Sequence, residues 1–270
     1  GSMPHSFVLE RASGTHIDSV SRQAVPTHLH VLCSVPASSS YFNKILQAAG
    51  RIIGFISFLC LEAQRKGMVI LMNREWPYLV PGIPDEAFER GSLPMTKREV
   101  RALTICTARL APKLTVWDVG AGTGSLSVEA ALLTPGGRVI AVEKSQEGVL
   151  LIQKNSLRFG VSQIELIHGE APQALLGLPA PERVLIGGSG GQLEEILAVC
   201  AKQLVVGGIL VATIIAPRNL VKVLDVLNMP PFSKPEGVFI QASRLEKLGK
   251  ENIFRAQNGV WIISARKEEA

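Results

Sequence analysis

The stretch that most constrains the fold is Trp117-Asp118-Val119-Gly120-Ala121-Gly122-Thr123-Gly124-Ser125-Leu126. The residues leading into it from Leu114 are mostly apolar and read as a buried strand. An apolar-periodic helix opens just after it, through Val128, Ala130, Ala131 and Leu132. A glycine-rich turn between strand and helix brings the backbone close to a bound cofactor, because no side chain stands in the way. The spacing is G-x-G-x-G, not G-x-G-x-x-G, and Asp118 lies two residues before the first glycine. That variant belongs to S-adenosylmethionine loops more often than to pyrophosphate loops.

The same alternation runs on from Thr96. Strands are expected at Leu114–Val119, Arg138–Glu143, Ile164–His168, Arg183–Ile186, Ile209–Ile215, Val238–Ser243 and Val260–Ala265. Helices are expected at Ser125–Leu133, Gln146–Phe159, Ala171–Leu176, Leu193–Gln203 and Leu220–Leu227, with a further helix running through Val100, Leu103 and Leu110. Thr96-Lys97-Arg98-Glu99 fits a capping box at the start of that helix. Short connections between alternating strands and helices imply an α/β fold with a doubly wound, mostly parallel sheet. The last two strands have no helix between them, so the last strand is expected to be antiparallel.

Upstream of residue 80 the pattern is weaker. Residues 3 to about 66 carry clustered serines, Gly67–Asn73 reads as a strand, and Pro77, Pro81 and Pro84 mark a linker or extended arm. Gly1-Ser2 before Met3 reads as the scar of a cleaved tag, with no signal peptide after it. The longest mostly apolar run, Ile52 to Leu61, falls short of the roughly 20 residues a membrane span needs. Cys33, Cys60, Cys106 and Cys200 form no C-x-x-C pair, which argues for reduced thiols in a cytoplasmic protein and against a zinc site. Cys106 and Cys200 are expected in the core. A net charge of +5 suits a polyanionic partner, either nucleic acid or a substrate bearing many carboxylates.

Glu143 ends the second strand, where a carboxylate can accept hydrogen bonds from the ribose hydroxyls of an adenosyl group. Gly169, Glu170 and Ala171 follow the third strand, where the fold borders an adenine ring. His168 reads as packed or partly exposed, not as a base. Gly187-Gly188-Ser189-Gly190-Gly191 follows the fourth strand. Adenine methyltransferases place Asn/Asp-Pro-Pro-aromatic there to stack a base. Here only glycines and a serine stand, a floor suited to a bulky planar acceptor, so Gly188, Ser189 and Gly190 are candidate substrate contacts.

Together these segments resemble the precorrin C5,15-methyltransferase (decarboxylating) family, in its CbiT-type domain, which is also the C-terminal half of CobL-type enzymes. The resemblance rests on Gly82–Phe88, Met95–Arg101, Trp117–Glu129, His168–Pro172, Gly187–Gly191 with Leu193–Leu197, Ser243-Arg244 and Arg255–Val260. It covers about residues 80 to 265. It implies a class I S-adenosylmethionine-dependent methyltransferase, Rossmann-like, with a seven-stranded sheet. The implied reaction is methylation of carbon 15 of a precorrin in cobalamin biosynthesis, with loss of the carboxylate of the acetate arm at carbon 12. Cofactor contacts carried over are Thr96, Gly120, Ala121, Gly122, Thr123, Gly124, Glu143 and Ala171. Arg244, Lys247 and Arg101 are candidate anchors for substrate carboxylates. The chain departs from the family at Leu245–Lys250.

The resemblance further implies a homotetramer and a CbiE-type methyltransferase as a partner. Residues 1–80 are expected to form an N-terminal extension, either a shortened remnant of a CbiE-type domain or an appended arm, without its own active site, and residues 81–270 the methyltransferase domain. Two other readings stay open: an RNA methyltransferase, disfavoured by the low aromatic content of 5%, and a non-catalytic S-adenosylmethionine-binding assembly subunit.

Overall fold

The computed structural model describes residues 75–232 and 234–269. The chain divides into two units, Gly1–Ile70 and Leu71–Ala270. The expected strand at Gly67–Asn73, the apolar run Ile52 to Leu61, and Cys33 and Cys60 lie outside the described residues.

Seven strands build the main sheet: β1 (Thr115–Val119), β2 (Arg138–Glu143), β3 (Ile164–His168), β4 (Arg183–Ile186), β5 (Ile209–Ile214), β6 (Glu236–Ile240) and β9 (Val260–Arg266). Their order is β3-β2-β1-β4-β5-β9-β6. Neighbours from β3 through β5 run parallel, and β9 is antiparallel to both β5 and β6. The expected α/β sheet with an antiparallel last strand is therefore present.

The inner strands β1, β2, β4 and β5 are mostly apolar and buried because helices cover both faces, whereas the edge strands β3 and β6 are partly or largely exposed. On one face α1 (Arg98–Ala108) and α2 (Ser125–Leu133) bring Val100, Ile105, Val128 and Ala131 onto Val116, Val211 and Ile262. On the other, α4 (Leu193–Gln203) and α5 (Pro217–Leu227) bring Ile196, Leu197, Val223 and Leu227 onto Trp117, Ile140, Leu210 and Ile263. Adjacent Val116 and Trp117 serve opposite cores, as the two-residue period of a strand requires. The remaining helix, α3 (Gln146–Arg158), is capped by the Ser145 hydroxyl, which accepts from the Gly148 N–H at 3.0 Å.

Several elements differ from expectation. No capping box opens α1: Lys97 is its N-cap and makes no side-chain cap bond. Glu99 turns to Arg244 instead, at 2.6 Å. The expected helix Ala171–Leu176 is a single 3-10 turn, Gln173–Leu175. α5 starts earlier than Leu220, because Pro217 lacks an N–H and suits the first turn. The expected strand Val238–Ser243 divides into β6 and β7 (Ser243–Leu248), and β7 pairs with β8 (Glu251–Ala256) in a separate two-stranded ladder. Cys200 is buried as expected, but Cys106 is exposed on the outer side of α1. Among the described residues no helix is long and apolar enough to cross a membrane.

Sheet order reverses between β1 and β4. Crevices outside the carboxyl ends of strands at such a switch point are where this architecture binds ligands.

Candidate active site

The turn after β1 is shaped by its glycines. Gly120 has φ +71°, and a Cβ there would stand 2.3 Å from the Gly188 carbonyl oxygen. The loops after β1 and β4 thus touch backbone to backbone, which only glycine at position 120 permits. The N–H groups of Gly120 and Ala121 donate to the Val142 carbonyl at 3.0 and 3.1 Å. Glu143 fixes the next residue: its Oε2 accepts from the Gly122 N–H and its Oε1 from the Ser145 N–H, each at 2.8 Å. This nearly buried carboxylate therefore shapes the loop, and each oxygen keeps a second lone pair for a ligand hydroxyl.

Asp118 lies fully buried beneath the loop. Its Oδ2 accepts from the Ser127 hydroxyl at 2.5 Å, while its Oδ1 has no hydrogen-bond partner. Burial pushes its carboxyl up to about 6, against the Ser127 hydrogen bonds that lower it, and nearby Glu143 adds to the rise. An orphaned, buried carboxylate oxygen is costly to keep and invites a cationic partner.

Two hollows open above the strand ends and meet at Pro94, Gly120, Gly122 and Gly187. The smaller, about 220 Å³, has Glu143, Lys144, Glu170 and Ala171 around it. The larger, about 250 Å³, lies toward the ends of β4 and β5 and is lined by Thr96, Lys97, Thr123, Thr213, Gln257 and Asn258 among others. Among the described residues no group of three or more His, Cys, Asp and Glu is placed to hold a metal ion.

One rim of the larger hollow is held by a buried ionic clamp. Arg101, completely buried, donates through Nε to Glu129 Oε1 at 2.6 Å, and through Nη1 to Asp85 Oδ1 at 3.1 Å and to the Thr96 carbonyl at 2.6 Å. Its Nη2 donates to the Ile83 carbonyl. Glu129 accepts in turn from the Gly82 and Ile83 N–H groups, both at 3.0 Å. Arg244 at the start of β7 completes the cluster, with Nη2 2.8 Å from Asp85 Oδ2 and 2.6 Å from Glu99 Oε2. The segment from Gly82 to Thr96 is thereby tied to α1, α2 and the β7–β8 ladder.

The structure gathers most of the residues expected at a site. Gly120 and Gly122 border both hollows, Thr96, Ala121 and Thr123 the larger, and Glu143, Gly169, Glu170 and Ala171 the smaller. Gly124, with φ +74°, carries the last turn of the loop and, like the buried Asp118, lines neither hollow, so these two expected cofactor contacts are not brought to the site. Gly188, Ser189 and Gly190 line the smaller hollow, and Gly187 alone from that loop reaches both. None of the three expected carboxylate anchors lines either hollow. Arg101 is sealed in the clamp, and Arg244 is committed to Asp85 and Glu99 and lines neither hollow. Lys247 is exposed on the ladder, away from both hollows. His168 also lines neither; its Nε2 lies 3.2 Å from the Lys144 carbonyl. Sequence reasoning missed Gln257, Asn258 and Thr213. The first two stand in the family-like segment Arg255–Val260, but only the folded chain brings that loop over the ends of β4 and β5.

This sheet order, with a glycine loop after β1 and a carboxylate closing β2, defines a class I methyltransferase. The particular family follows from comparison: the chain belongs to the precorrin methyltransferase family, whose model (precorrin methyltransferase domain) matches residues 86–267. It is 39% identical over 186 residues to the cobalt-precorrin-6B C(15)-methyltransferase (decarboxylating) of Salmonella typhimurium, covering 68% of this chain and 96% of that protein. The crystal structure of precorrin-6y C5,15-methyltransferase from Geobacter metallireducens superposes with a TM-score of 0.67 at 36% identity, over 70% of this chain and 100% of that one. The precorrin 8w decarboxylase structure from Methanobacterium thermoautotrophicum gives a TM-score of 0.64 at 30% identity, over 68% and 98%.

Proposed function

We propose that this protein transfers a methyl group from S-adenosylmethionine to carbon 15 of a precorrin-type tetrapyrrole, with decarboxylation of the acetate arm at carbon 12, in cobalamin biosynthesis. The observation that carries this reading is the meeting of two hollows at the bare backbone of Gly120, Gly122 and Gly187. That junction lets a donor on one side and a broad acceptor on the other approach without intervening side chains.

The residues present fit the donor. Backbone at Gly120 and Gly122 lies open to it from both hollows, Glu143 keeps lone pairs for ribose hydroxyls, and the buried charge of Asp118, which lines neither hollow, acts on a cationic group only through the loop above it. Gly169, Glu170 and Ala171 supply the adenine end. S-adenosylmethionine, when bound, supplies a methyl group on a sulfonium leaving group. The chain's own task is alignment and exclusion of water. Leu126, Val100 and Ile215 present apolar surface to the acceptor side, while Thr213, Gln257 and Asn258 offer polar groups that orient it. The acceptor contact first expected of Gly188, Ser189 and Gly190 shifts in this reading to Gly187.

The same reading assigns the protein to the cytoplasm, as a homo-oligomer acting alongside a CbiE-type methyltransferase. Exposed Leu245, Leu248 and Phe254 on the β7–β8 ladder support self-association. It also makes residues 1–80 an accessory extension of a methyltransferase domain at 81–270.

Incubation with S-adenosylmethionine and cobalt-precorrin-6B or its metal-free counterpart, followed by mass analysis, tests the proposal. A product carrying one more methyl and one fewer carboxylate is expected. Recovery of both tetrapyrroles unchanged, with the cofactor bound, would overturn it in favour of a non-catalytic binding subunit.

A further inference from the structure

Among the described residues the larger hollow is lined by two charged side chains, Lys97 and Glu99. Glu99 is already neutralised: Arg244 holds its two oxygens at 2.6 and 3.2 Å, and Arg98 stands 3.3 Å away. In the smaller hollow Lys144 is paired with Glu170 at 3.0 Å. Lys97 differs from all of these. It is half-buried at the rim of the larger hollow, and its ammonium has no hydrogen bond or ion pair among the described residues.

Its position does not serve the helix. Lys97 is the N-cap of α1, where Ser, Thr, Asp or Asn would satisfy a free N–H and where a cation opposes the helix dipole. The chain thus keeps a lysine where helix energetics disfavour one, facing the hollow that the proposed function gives to the acceptor. Arg101 and Arg244, the other cations of this region, are consumed by Asp85, Glu99 and Glu129.

We propose that Lys97 binds a peripheral carboxylate of the tetrapyrrole and thereby sets its orientation; this rests on the functional reading above. The carboxylate it holds is one the product retains. On loss of carbon dioxide, the bonding electron pair of the departing carboxylate moves into the macrocycle. An ammonium paired with that same carboxylate would stabilise the ground state more than the transition state and slow the step. Lys97 is therefore a specificity residue for a spectator arm, and Gln257 and Asn258 offer neutral hydrogen-bonding groups to the same ligand.

The test compares the full chain with Lys97→Ser and Lys97→Arg. Steady-state turnover of cobalt-precorrin-6B is measured beside calorimetric binding of S-adenosylmethionine and thermal melting. Lys97→Ser is expected to raise KM for the tetrapyrrole about tenfold, the loss of one charge-assisted hydrogen bond. It should change kcat less than about threefold, leave cofactor affinity as it was, and melt no lower, since serine is the better cap. Lys97→Arg should hold KM within about threefold of the wild type. Salt should raise KM less steeply in Lys97→Ser than in the wild type. An unchanged KM in Lys97→Ser, or an equal loss of cofactor affinity, would overturn the assignment while leaving the proposed reaction intact. A wild-type protein that binds the cofactor but turns over no tetrapyrrole would instead overturn the functional reading, and this inference with it.

Discussion

Replacing Arg101 with methionine removes the one cation at the centre of the buried clamp. The variant leaves Glu129 with the Gly82 and Ile83 N–H groups only, and Asp85 with Arg244 only. It also strips donors from the Thr96 and Ile83 carbonyls and removes the guanidinium lying 4.7 Å from the centre of the Phe88 ring. Breaking a buried pair by deleting one partner costs about 3–5 kcal/mol, because the remaining charge stays desolvated. In a domain of this size each kcal/mol moves the melting temperature by roughly 2–4 °C, so a drop of about 6–20 °C is expected. Differential scanning calorimetry reads this directly. Adding Glu129→Gln to the variant removes the stranded charge yet keeps an oxygen for the Gly82 and Ile83 N–H groups. The double variant should be at least about 1 kcal/mol more stable than the sum of the two single changes. The clamp also holds Thr96 at the rim of the larger hollow. Cofactor or acceptor binding in Arg101→Met should therefore weaken even at temperatures where the variant is folded. A loss below about 1 kcal/mol, or strict additivity with Glu129→Gln, would mean that the cluster behaves like a solvated surface pair.

Two further changes probe the loop itself. Asp118 has a folded-state value near 6, above the ordinary carboxylate value, so its ionisation opposes folding. The penalty is absent below about pH 4, grows as pH rises to about 6, and persists above, reaching about 3 kcal/mol at most. Asp118→Asn should therefore stabilise the apo protein at pH 8 and not at pH 4. The same change should weaken S-adenosylmethionine binding at pH 8, as should titrating the wild type below pH 6; melting curves and calorimetry at both pH values decide it, and equal stability shifts at the two would contradict it. Gly120→Ala places a Cβ 2.3 Å from the Gly188 oxygen in a left-handed backbone conformation. The conformation costs about 1–2 kcal/mol and the clash about 1–3 more. Stability and cofactor affinity should fall together, whereas wild-type affinity in this variant would show that the two loops need not touch.

Much of this fold was legible in the sequence because local period and burial agree in it. Runs such as Arg138-Val139-Ile140-Ala141-Val142-Glu143 are apolar enough to be buried on both faces, and glycines punctuate the chain where it turns, Gly137 before this run and Gly120, Gly169 and Gly187 after β1, β3 and β4. The glycine loop and Glu143 were legible for the same reason: their roles come from sequence neighbours and from a fixed place at a strand end. What escaped depends on distant pairing. Thr96 and Glu99 have the spacing of a capping box, but a bond across 145 residues to Arg244 takes Glu99 away from the helix end. Arg101 and Arg244 look like solvated or ligand-binding cations until Asp85 and Glu129 are seen beside them. The β7–β8 ladder escaped because its strands are largely exposed and carry no clean alternation.

Joining of a sulfonium methyl donor to a tetrapyrrole carbon in this site is read out by carbon-13 NMR. The protein is incubated with S-adenosylmethionine enriched in carbon-13 at its methyl group and with cobalt-precorrin-6B or its metal-free counterpart, and the product is isolated. One enriched methyl bonded to carbon 15 is expected, together with conversion of the carbon 12 acetate arm to a methyl group. An enriched methyl at any other position, or a tetrapyrrole that gains no enriched methyl, would count against this reaction.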